Sequence, residues 1–344
     1  MENFFIIKIL FLTTLSAGVA ILWTPALTHF LYKYKLGKSI RNNGTTPIFT
    51  KLHKDKEGTP TMGGLIIWVT VLVLALAFFY AAKFVNFDFF QQMNFLTRSQ
   101  TLLPLGCLVA AALVGLIDDI LDIRGKGKCG MRVRQRLIIY TLIAIVGALW
   151  FYYKLDWDLL HIPFVGNWQV GLWYIPIFVF VIVATAFSVN QIDGLDGLAG
   201  GTLLTAFGAY GIIAFVQEKF DLAAFCGVII GALIAFLWFN IKPARFFMGD
   251  TGAMSLGVTL GIIAMLTNQA LLLPVIGILF VIEALSSIIQ VVSKKLRGKK
   301  IFLSSPIHHH LEAIGWPEYK IVMRFWLISG ISAVIGLILF LLDK

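Results

Sequence analysis

The segment SVNQIDGLDG, Ser188 to Gly197, lies between two apolar runs that extend from Leu172 to Phe187 and from Leu198 to Val216. It places two carboxylates and an asparagine in a glycine-containing turn between two segments of membrane-spanning length. Oxygen ligands facing one small volume suit a hard divalent cation and the phosphates that accompany it. The alternative is a plain connection between helices, with Asp196 as an N-cap and the glycines as turn residues.

The composition is that of an integral membrane protein, since the 344 residues are 59% hydrophobic and only 13% charged. Ten apolar runs are long enough to cross about 30 Å of hydrocarbon, and no long hydrophilic segment separates them. We therefore predict an all-α integral membrane protein of about ten transmembrane helices, forming one polytopic domain over residues 1–344. The first run has no cleavage pattern after it and is expected to remain as a helix. The runs begin near Leu10, Thr61, Thr101, Leu137, Leu172, Leu198, Leu222, Thr251, Leu271 and Ile321.

The net charge of +10 raises nucleic-acid binding as a function, but the positions of the basic residues favour membrane topology instead. Of the 28 Lys and Arg residues, 22 follow the odd-numbered apolar runs. By the positive-inside rule those connections are cytoplasmic and both termini are extracytoplasmic. The three scattered cysteines predict neither a disulfide nor a zinc site; they are Cys107, Cys129 and Cys226.

Asp118 and Asp119 end the third apolar run. A carboxylate in the bilayer core costs about 2.5–3.5 kcal/mol even on the gentler insertion scale, so we expect this pair at the membrane interface. The C-terminal end of a helix also disfavours negative charge. A basic residue between Arg124 and Arg136 could compensate the pair, but a bound metal is the favoured interpretation.

The segment before the second apolar run, Gly58 to Gly64, has two interpretations. In one, Thr59 is an N-cap and Pro60 is the first residue of the membrane helix. In the other, exposed threonine and backbone groups line a polar site.

Asp250 lies in the fourth predicted cytoplasmic connection, within Phe239 to Gly252. It could serve only as the N-cap of the next helix. It is also one of five aspartates predicted at the same membrane face, and capping alone does not explain so many; the others are Asp118, Asp119, Asp193 and Asp196.

The ninth run carries Glu283, Ser286, Ser287 and Gln290 on one helical stripe. An intramembrane acid is a functional candidate, but for Glu283 we favour a hydrogen-bonded seam between helices. Gln290, two turns nearer the cytoplasm, is predicted to contact a ligand. Three consecutive histidines follow, and because they cannot all face one point, one or two are expected to reach the site and bind oxygens or shuttle protons; they are His308, His309 and His310.

Together these segments resemble the phospho-N-acetylmuramoyl-pentapeptide transferase family, the translocase I of peptidoglycan synthesis. The aspartate motifs alone also suit the wider superfamily of polyprenyl-phosphate hexosamine-1-phosphate transferases. The resemblance spans nearly the whole chain and rests on Gly58 to Gly64, Gly115 to Asp119, Asn190 to Gly197, Phe239 to Gly257, Pro306 to His310, Gly315-Trp316-Pro317 and Arg324-Phe325-Trp326.

The resemblance implies a Mg²⁺-dependent transferase in the bacterial cytoplasmic (inner) membrane, with its active site on the cytoplasmic face. Phospho-MurNAc-pentapeptide would pass from UDP-MurNAc-pentapeptide to undecaprenyl phosphate, giving lipid I and UMP. Direct attack by the lipid phosphate is favoured over a covalent aspartyl intermediate, since a phosphate with a second pKa near 6 hardly needs a strong base. Small-residue helix faces allow a homodimer, and no nucleic-acid partner is expected.

By position, the resemblance implies that Asp250 binds Mg²⁺ and that Asp118 deprotonates the lipid phosphate. Asp119, beside it, and His309 are the other catalytic candidates. The implied substrate-binding residues are Thr59, Thr61, Asn190, Asp193, Asp196, Asn240, Phe247, Gln290, His308 and His310.

Three positions depart from the family pattern and concern phosphate contacts. Asp122 stands where a lysine is frequent, Cys129 stands at the next basic position, and Lys242 replaces the histidine of a His-Pro-Ala motif. The runner-up function is transfer of GlcNAc-1-phosphate to the same lipid. A transporter would need ionisable residues deep in several helices, whereas Glu283 is nearly alone and no internal repeat is evident.

Overall fold

The computed structural model describes residues 2–37, 53, 56–125 and 130–344. The long helices are α1 (Glu2–Lys33), α2 (Leu65–Phe84), α4 (Leu102–Arg124), α5 (Val133–Lys154), α6 (Tyr174–Ile192), α7 (Leu198–Val216), α8 (Phe220–Asn240), α9 (Gly249–Leu266), α11 (Ile278–Arg297) and α13 (Glu318–Leu342). Short helices are α3 (Asp88–Met93), α10 (Leu273–Ile276) and α12 (Ile307–Ala313). Strands β1 (Leu159–Ile162) and β2 (Gly166–Gln169) form an antiparallel hairpin in which Leu160 pairs with Trp168.

Nine helices in the described part of the chain are long and apolar enough to span a membrane. A tenth span would consist of residues 270–276 and α11, which meet at an angle of 83°. The all-α, multi-pass architecture predicted from the ten apolar runs is therefore confirmed. The bend at Gly277 and the β-hairpin are additions that the apolar pattern does not indicate.

Helix α9 forms the centre of the bundle, because the whole of its apolar length is buried. It packs against α4 and α6, while α8 packs against α1 and α7. Small residues permit this close packing: a Cβ on Gly257 would lie 2.8 Å from Ala186 Cα, and one on Gly115 would lie 2.3 Å from the Asp250 carbonyl oxygen. The acidic end of α4 is thereby held against the start of α9.

Helix α2 begins at Leu65, with Gly64 as its N-cap, and not at Pro60. The preceding segment instead pairs with the chain just before α9. Gly63 N and Gly64 N donate to the carbonyl oxygens of Phe247 and Met248, each at 2.8 Å. The interpretation of Thr59 as an N-cap is therefore wrong.

Candidate active site

The end of α6 and the turn after it connect three polar groups of residues. Asn190 reaches an aspartate cluster, which we define as Asp118, Asp119, Asn190, Asp250 and Arg136. Gly194 contacts a histidine cluster, defined as His53, Glu283, His308, His309 and Glu312. Asp196 joins a lysine clasp, defined as Lys56, Asp196, Lys242 and Glu318.

Arg136 of α5 is the cation of the aspartate cluster. Its Nε lies 2.7 Å from Asp118 Oδ2 and its Nη2 lies 2.8 Å from Asp250 Oδ2. Nη1 donates to Asn190 Oδ1 at 3.0 Å, and Asn190 Nδ2 donates to Asp250 Oδ1. A guanidinium suits this role because its planar fork of donors can bridge several oxygens. Arg136 is therefore the basic residue that compensates the negative charge of Asp118, as the first of the two interpretations of the Asp118-Asp119 pair proposed.

Asp119 is bound to the start of α9. Its carboxylate accepts hydrogen bonds from Asp250 N at 3.1 Å and Thr251 N at 3.0 Å, and Thr61 Oγ1 lies 3.3 Å away. Gly249 makes this approach possible, since a Cβ there would lie 2.6 Å from Asp119 Oδ2. Helix N-termini favour negative charge, so the start of α9 stabilises the Asp119 carboxylate. Asp119, and not Asp250, therefore caps α9.

In the described part of the chain, the aspartate cluster has a carboxylate oxygen without a hydrogen bond and an excess of negative charge. Asp118 is fully buried, and its Oδ2 accepts no hydrogen bond from the described residues, although Arg136 Nε lies 2.7 Å away. One guanidinium faces the two carboxylates of Asp118 and Asp250, which leaves an excess of one negative charge. Buried carboxylate oxygens with excess negative charge are the donor set that Mg²⁺ prefers, so Asp118 and Asp250 fit a divalent cation.

The lysine clasp ties the turn to two distant segments. Lys56 Nζ lies 2.7 Å from Asp196 Oδ1 and also pairs with Glu318, while Lys242 Nζ lies 2.7 Å from Glu318 Oε2. Asp196 Oδ2 accepts a hydrogen bond from Ala244 N at 3.2 Å, so the Asp196 side chain bonds to the loop after α8. Asp196 is not the N-cap of α7. That cap is Gly197, whose φ of 81° suits glycine.

Asn240 also holds the turn in place. Its Oδ1 accepts from Gly197 N at 2.9 Å, and its Nδ2 donates to the carbonyl oxygen of Phe246 at 2.8 Å. Lys242, which departs from the family pattern, keeps a positive charge at the clasp. The hydrogen bond to Glu318 raises the pKa of Lys242 above its usual value.

The histidine cluster lies against the glycine of the turn. His308 is fully buried, and its Nδ1 lies 2.9 Å from Oε2 of the equally buried Glu283. A Cβ on Gly194 would lie 2.3 Å from His308 Nε2 and 3.1 Å from His309 Nε2, so only glycine fits here. The seam predicted for Glu283 is confirmed, and it joins α11 to α12.

Glu312 binds two imidazoles of the same cluster. Its Oε2 lies 2.7 Å from His309 Nδ1 and 3.1 Å from His53 Nε2. Burial lowers the pKa of His309 to about 3, and the nearby His308 acts in the same direction. Burial alone would raise the pKa of Glu312, but the hydrogen bonds from His309 and His53 lower it to about 2. His53, His309 and Glu312 have metal-ligating atoms within 4.8 Å of one another, and their hydrogen bonds account for this grouping.

The remaining predicted residues lie around these groups. Gln290 Oε1 accepts hydrogen bonds from Ile301 N and Phe302 N at 3.0 Å each and so fixes the loop that follows α11. His310 Nδ1 accepts from Leu303 N at 3.3 Å. Asp193 ends α6, Thr59 is half-buried, and the half-buried ring of Phe247 lies 5.9 Å from Lys56 Nζ. Their predicted substrate contacts stay predictions.

Sequence reasoning missed Lys56, Glu318, His53 and Glu312 as members of these groups, and it named Arg136 only as the end of a basic range. A signal existed for Glu312, which lies three residues after His309 and so shares its helical face. The others lie far along the chain from their partners. Of the departures from the family pattern, Asp122 accepts from Gly130 N at 3.0 Å, and Cys129 lies outside the described residues.

Comparison with known proteins shows the family of this chain. A family model described as glycosyl transferase family 4 matches residues 101–268, and the phospho-N-acetylmuramoyl-pentapeptide-transferase signature 1 matches residues 56–67. A phospho-N-acetylmuramoyl-pentapeptide-transferase of Chloroflexus aggregans is 43% identical over 329 residues, covering 91% of this chain and 84% of the relative. The chain belongs to the phospho-N-acetylmuramoyl-pentapeptide transferase family.

Two further relatives with the same name cover the chain still more fully. The protein of Geobacillus sp. (strain WCH70) is 39% identical over 327 residues, covering 94% of this chain and 95% of the relative. That of Bacillus anthracis is 40% identical over 329 residues, with coverage of 94% and 96%. Membership of the phospho-N-acetylmuramoyl-pentapeptide transferase family confirms the resemblance and makes the chain a glycosyl-1-phosphate transferase of peptidoglycan synthesis.

Proposed function

We propose that this membrane enzyme transfers phospho-N-acetylmuramoyl-pentapeptide from UDP-MurNAc-pentapeptide to undecaprenyl phosphate, forming lipid I and releasing UMP. The supporting observation is the buried aspartate cluster, whose negative charge exceeds that of its single guanidinium. The positive-inside distribution of Lys and Arg supports a cytoplasmic position for this cluster, in the bacterial inner membrane. There an aqueous nucleotide and a lipid phosphate can meet.

Mg²⁺ is the proposed cofactor, with Asp250 as its principal ligand and Asp118 beside it. When bound, it would neutralise the diphosphate oxygens and the charge on the departing nucleotide phosphate. Asp118 Oδ2 pairs with Arg136 but accepts no hydrogen bond from the described residues, which supports this assignment. Asp119 is proposed to act indirectly, because its carboxylate is engaged by the first N–H groups of α9.

The chain's own residues contribute charge and alignment, which phosphoryl transfer needs more than covalent chemistry. Arg136 holds Asp118 and Asp250 together and offers donors that suit phosphate oxygens bidentately. Asn190 fixes the orientation of Asp250 through its amide. We propose direct attack by the lipid phosphate, with Asp118 accepting any remaining proton.

The two other groups are proposed to bind the rest of the donor substrate. The Phe247 ring and the turn of Asp193 and Asp196 would contact the nucleotide. His308 to His310 would contact the sugar phosphate and the peptide. The contacts of Gly194 with His308 and His309 support this division, because they fix the histidine cluster beside the turn.

The test is UMP release by the purified chain in detergent, with UDP-MurNAc-pentapeptide, undecaprenyl phosphate and Mg²⁺ each omitted in turn. We expect release only when all three are present, and its loss in Asp250→Ala. The exposed Asp88→Ala serves as a control and is expected to retain activity. Turnover of UDP-GlcNAc in place of the muramoyl donor would replace this proposal with the runner-up reaction, and release without a lipid acceptor would contradict it.

A further inference from the structure

A polar cavity lies at the end of the bundle opposite the aspartate cluster. Asp250 is in the first turn of α9 and the cavity is at the other end of that helix, whose 18 residues span about 27 Å. The cavity has a volume of about 360 Å³. The residues that carry the inference are Trp157, Gln217, Lys219, Gln269, Asp343 and Lys344.

Lys219 brings a positive charge to this cavity without a matching acid. Its Nζ donates to the carbonyl oxygen of Leu266 at 2.7 Å and lies 5.5 Å from the centre of the Trp157 ring. Among the described residues, no carboxylate lies within ion-pairing distance of it. Burial lowers the pKa of Lys219 to about 8, as expected for an ammonium whose lost hydration is not replaced by an anion.

Two further features complete the chemistry of the cavity. The exposed Lys344 adds a second positive charge, with its Nζ 3.3 Å from the carbonyl oxygen of Val216. The nearby Asp343 offsets one of the two lysine charges, so the cavity keeps an excess of one positive charge, and the Asp343 carboxylate is held at the β-hairpin. It lies 2.5 Å from His161 Nε2 and accepts from Phe164 N at 2.6 Å.

The side-chain oxygens of Gln217 and Gln269 are buried and accept no hydrogen bond within the part of the chain that the structure describes. Gln217 is oriented by its own amide, since Nε2 donates to the carbonyl oxygen of Thr267 at 2.8 Å and leaves Oε1 as the free acceptor. Buried acceptors of this kind are costly unless a donor reaches them. Both glutamines line the cavity, so it combines two lysine cations with two buried carbonyl oxygens that lack a donor within the described ranges.

We propose that this cavity binds a phosphate ester that carries free hydroxyl groups, namely the head group of phosphatidylglycerol. The phosphate would lie near Lys219 and Lys344, and the glycerol hydroxyls would donate to Gln217 and Gln269. A lipid source fits the location, since the adjacent hairpin exposes Trp168 and the following turn exposes Trp173, side chains typical of a membrane interface.

The experiment uses the full chain, purified and delipidated in detergent, and measures lipid binding by native mass spectrometry. Phosphatidylglycerol, phosphatidylcholine and soluble glycerol 3-phosphate are titrated separately. We expect phosphatidylglycerol to bind about tenfold more tightly than phosphatidylcholine, whose head group lacks the hydroxyls and carries a cationic trimethylammonium group beside the phosphate. Lys219→Met should remove most of that affinity, and Gln217→Leu should lower binding of phosphatidylglycerol but not of phosphatidylcholine.

Lys83→Met is the matched control, because Lys83 is an exposed lysine near the end of α2 and lies outside the cavity. It should bind phosphatidylglycerol as the wild type does. Lys344→Met changes an exposed side chain and keeps the test decisive if Lys219→Met does not fold. Equal binding of the two lipids, or unchanged binding of phosphatidylglycerol in both lysine variants, would overturn the proposal. Equally tight binding of glycerol 3-phosphate would overturn the lipid assignment.

Discussion

Asp118 and Asp119 are adjacent in sequence but have different surroundings. Asp118 faces Arg136 and keeps one oxygen without a hydrogen bond, whereas both oxygens of Asp119 accept N–H groups from the start of α9. A carboxylate oxygen that has an ion pair but no hydrogen bond can still bind a cation. A carboxylate that caps a buried helix is part of the scaffold. We therefore expect Asp118 to take part in the chemistry and Asp119 to hold the start of α9 in position.

Replacement of Asp119 by alanine should destabilise the protein. Two buried N–H groups would lose their acceptor, which costs about 2 kcal/mol. We expect a lower thermal midpoint in detergent, measured by intrinsic fluorescence. Asp88→Ala, at an exposed first-turn position of α3, should change stability by less than about 0.5 kcal/mol. An unchanged midpoint for Asp119→Ala would contradict the capping role.

Acid should loosen helix α12 through His309 and Glu312. The pKa of His309 is about 3 in the folded chain, below its ordinary 6.5, so the unfolded segment binds a proton first as the pH falls. Glu312, lowered from 4.5 to about 2, adds stability above pH 4.5 that is lost as the pH falls through 2. Between pH 7 and 5.5 the His309 effect destabilises by about 1 kcal/mol.

Hydrogen exchange over residues 307–313, corrected for the intrinsic effect of pH, measures this change. We expect faster exchange at pH 5.5 than at pH 7, and a smaller difference in His309→Asn. Equal or greater protection at pH 5.5 in the wild type would show that the sign is wrong.

At the level of elements, the turn between α6 and α7 is the junction of the site. Asn190, near the end of α6, reaches the aspartate cluster, and the turn that follows reaches the histidine cluster and the lysine clasp. The histidine cluster approaches so closely that the turn needs a residue without a Cβ at position 194. The relative placement of α12 and α6 therefore depends on that glycine.

Gly194→Ala should impair both stability and activity, because the added Cβ would clash with His308. His308 cannot readily move away, because it is fully buried and paired with Glu283. A displacement of about 1 Å at a catalytic site can cost on the order of a hundredfold in rate, and we expect a loss of that size in UMP release. Gly208→Ala in α7, where an added Cβ has no neighbour within 4 Å, should retain activity. Similar activities for the two variants would contradict this account of the turn.

The helices could be predicted from sequence because each is an apolar run of membrane length. Three local features could not. The bend at Gly277 interrupts a run that is apolar on both sides, the β-hairpin carries no alternating pattern, and the start of α2 is set by hydrogen bonds to Phe247 and Met248. Tertiary partners decide these features, so periodicity does not reveal them.

At the scale of the whole molecule, the two ends of α9 carry different chemistry. The aspartate cluster at one end is anionic, and the cavity at the other end is cationic with free acceptors. Sequence reasoning identified the acidic residue types at the first end from their number and shared position. It did not find Lys56 and Glu318, which lie 262 residues apart, because spacing along the chain says nothing about such pairs.

The central claim is that the aspartate cluster binds the divalent cation used in the reaction. Titration of the purified chain with Mn²⁺, followed by electron paramagnetic resonance of the free ion, tests this most directly. We predict one site in the wild type and in the exposed control Asp88→Asn, with affinity lowered about tenfold or more in Asp250→Asn. Wild-type affinity in Asp250→Asn would contradict the assignment and place the cation elsewhere in the chain.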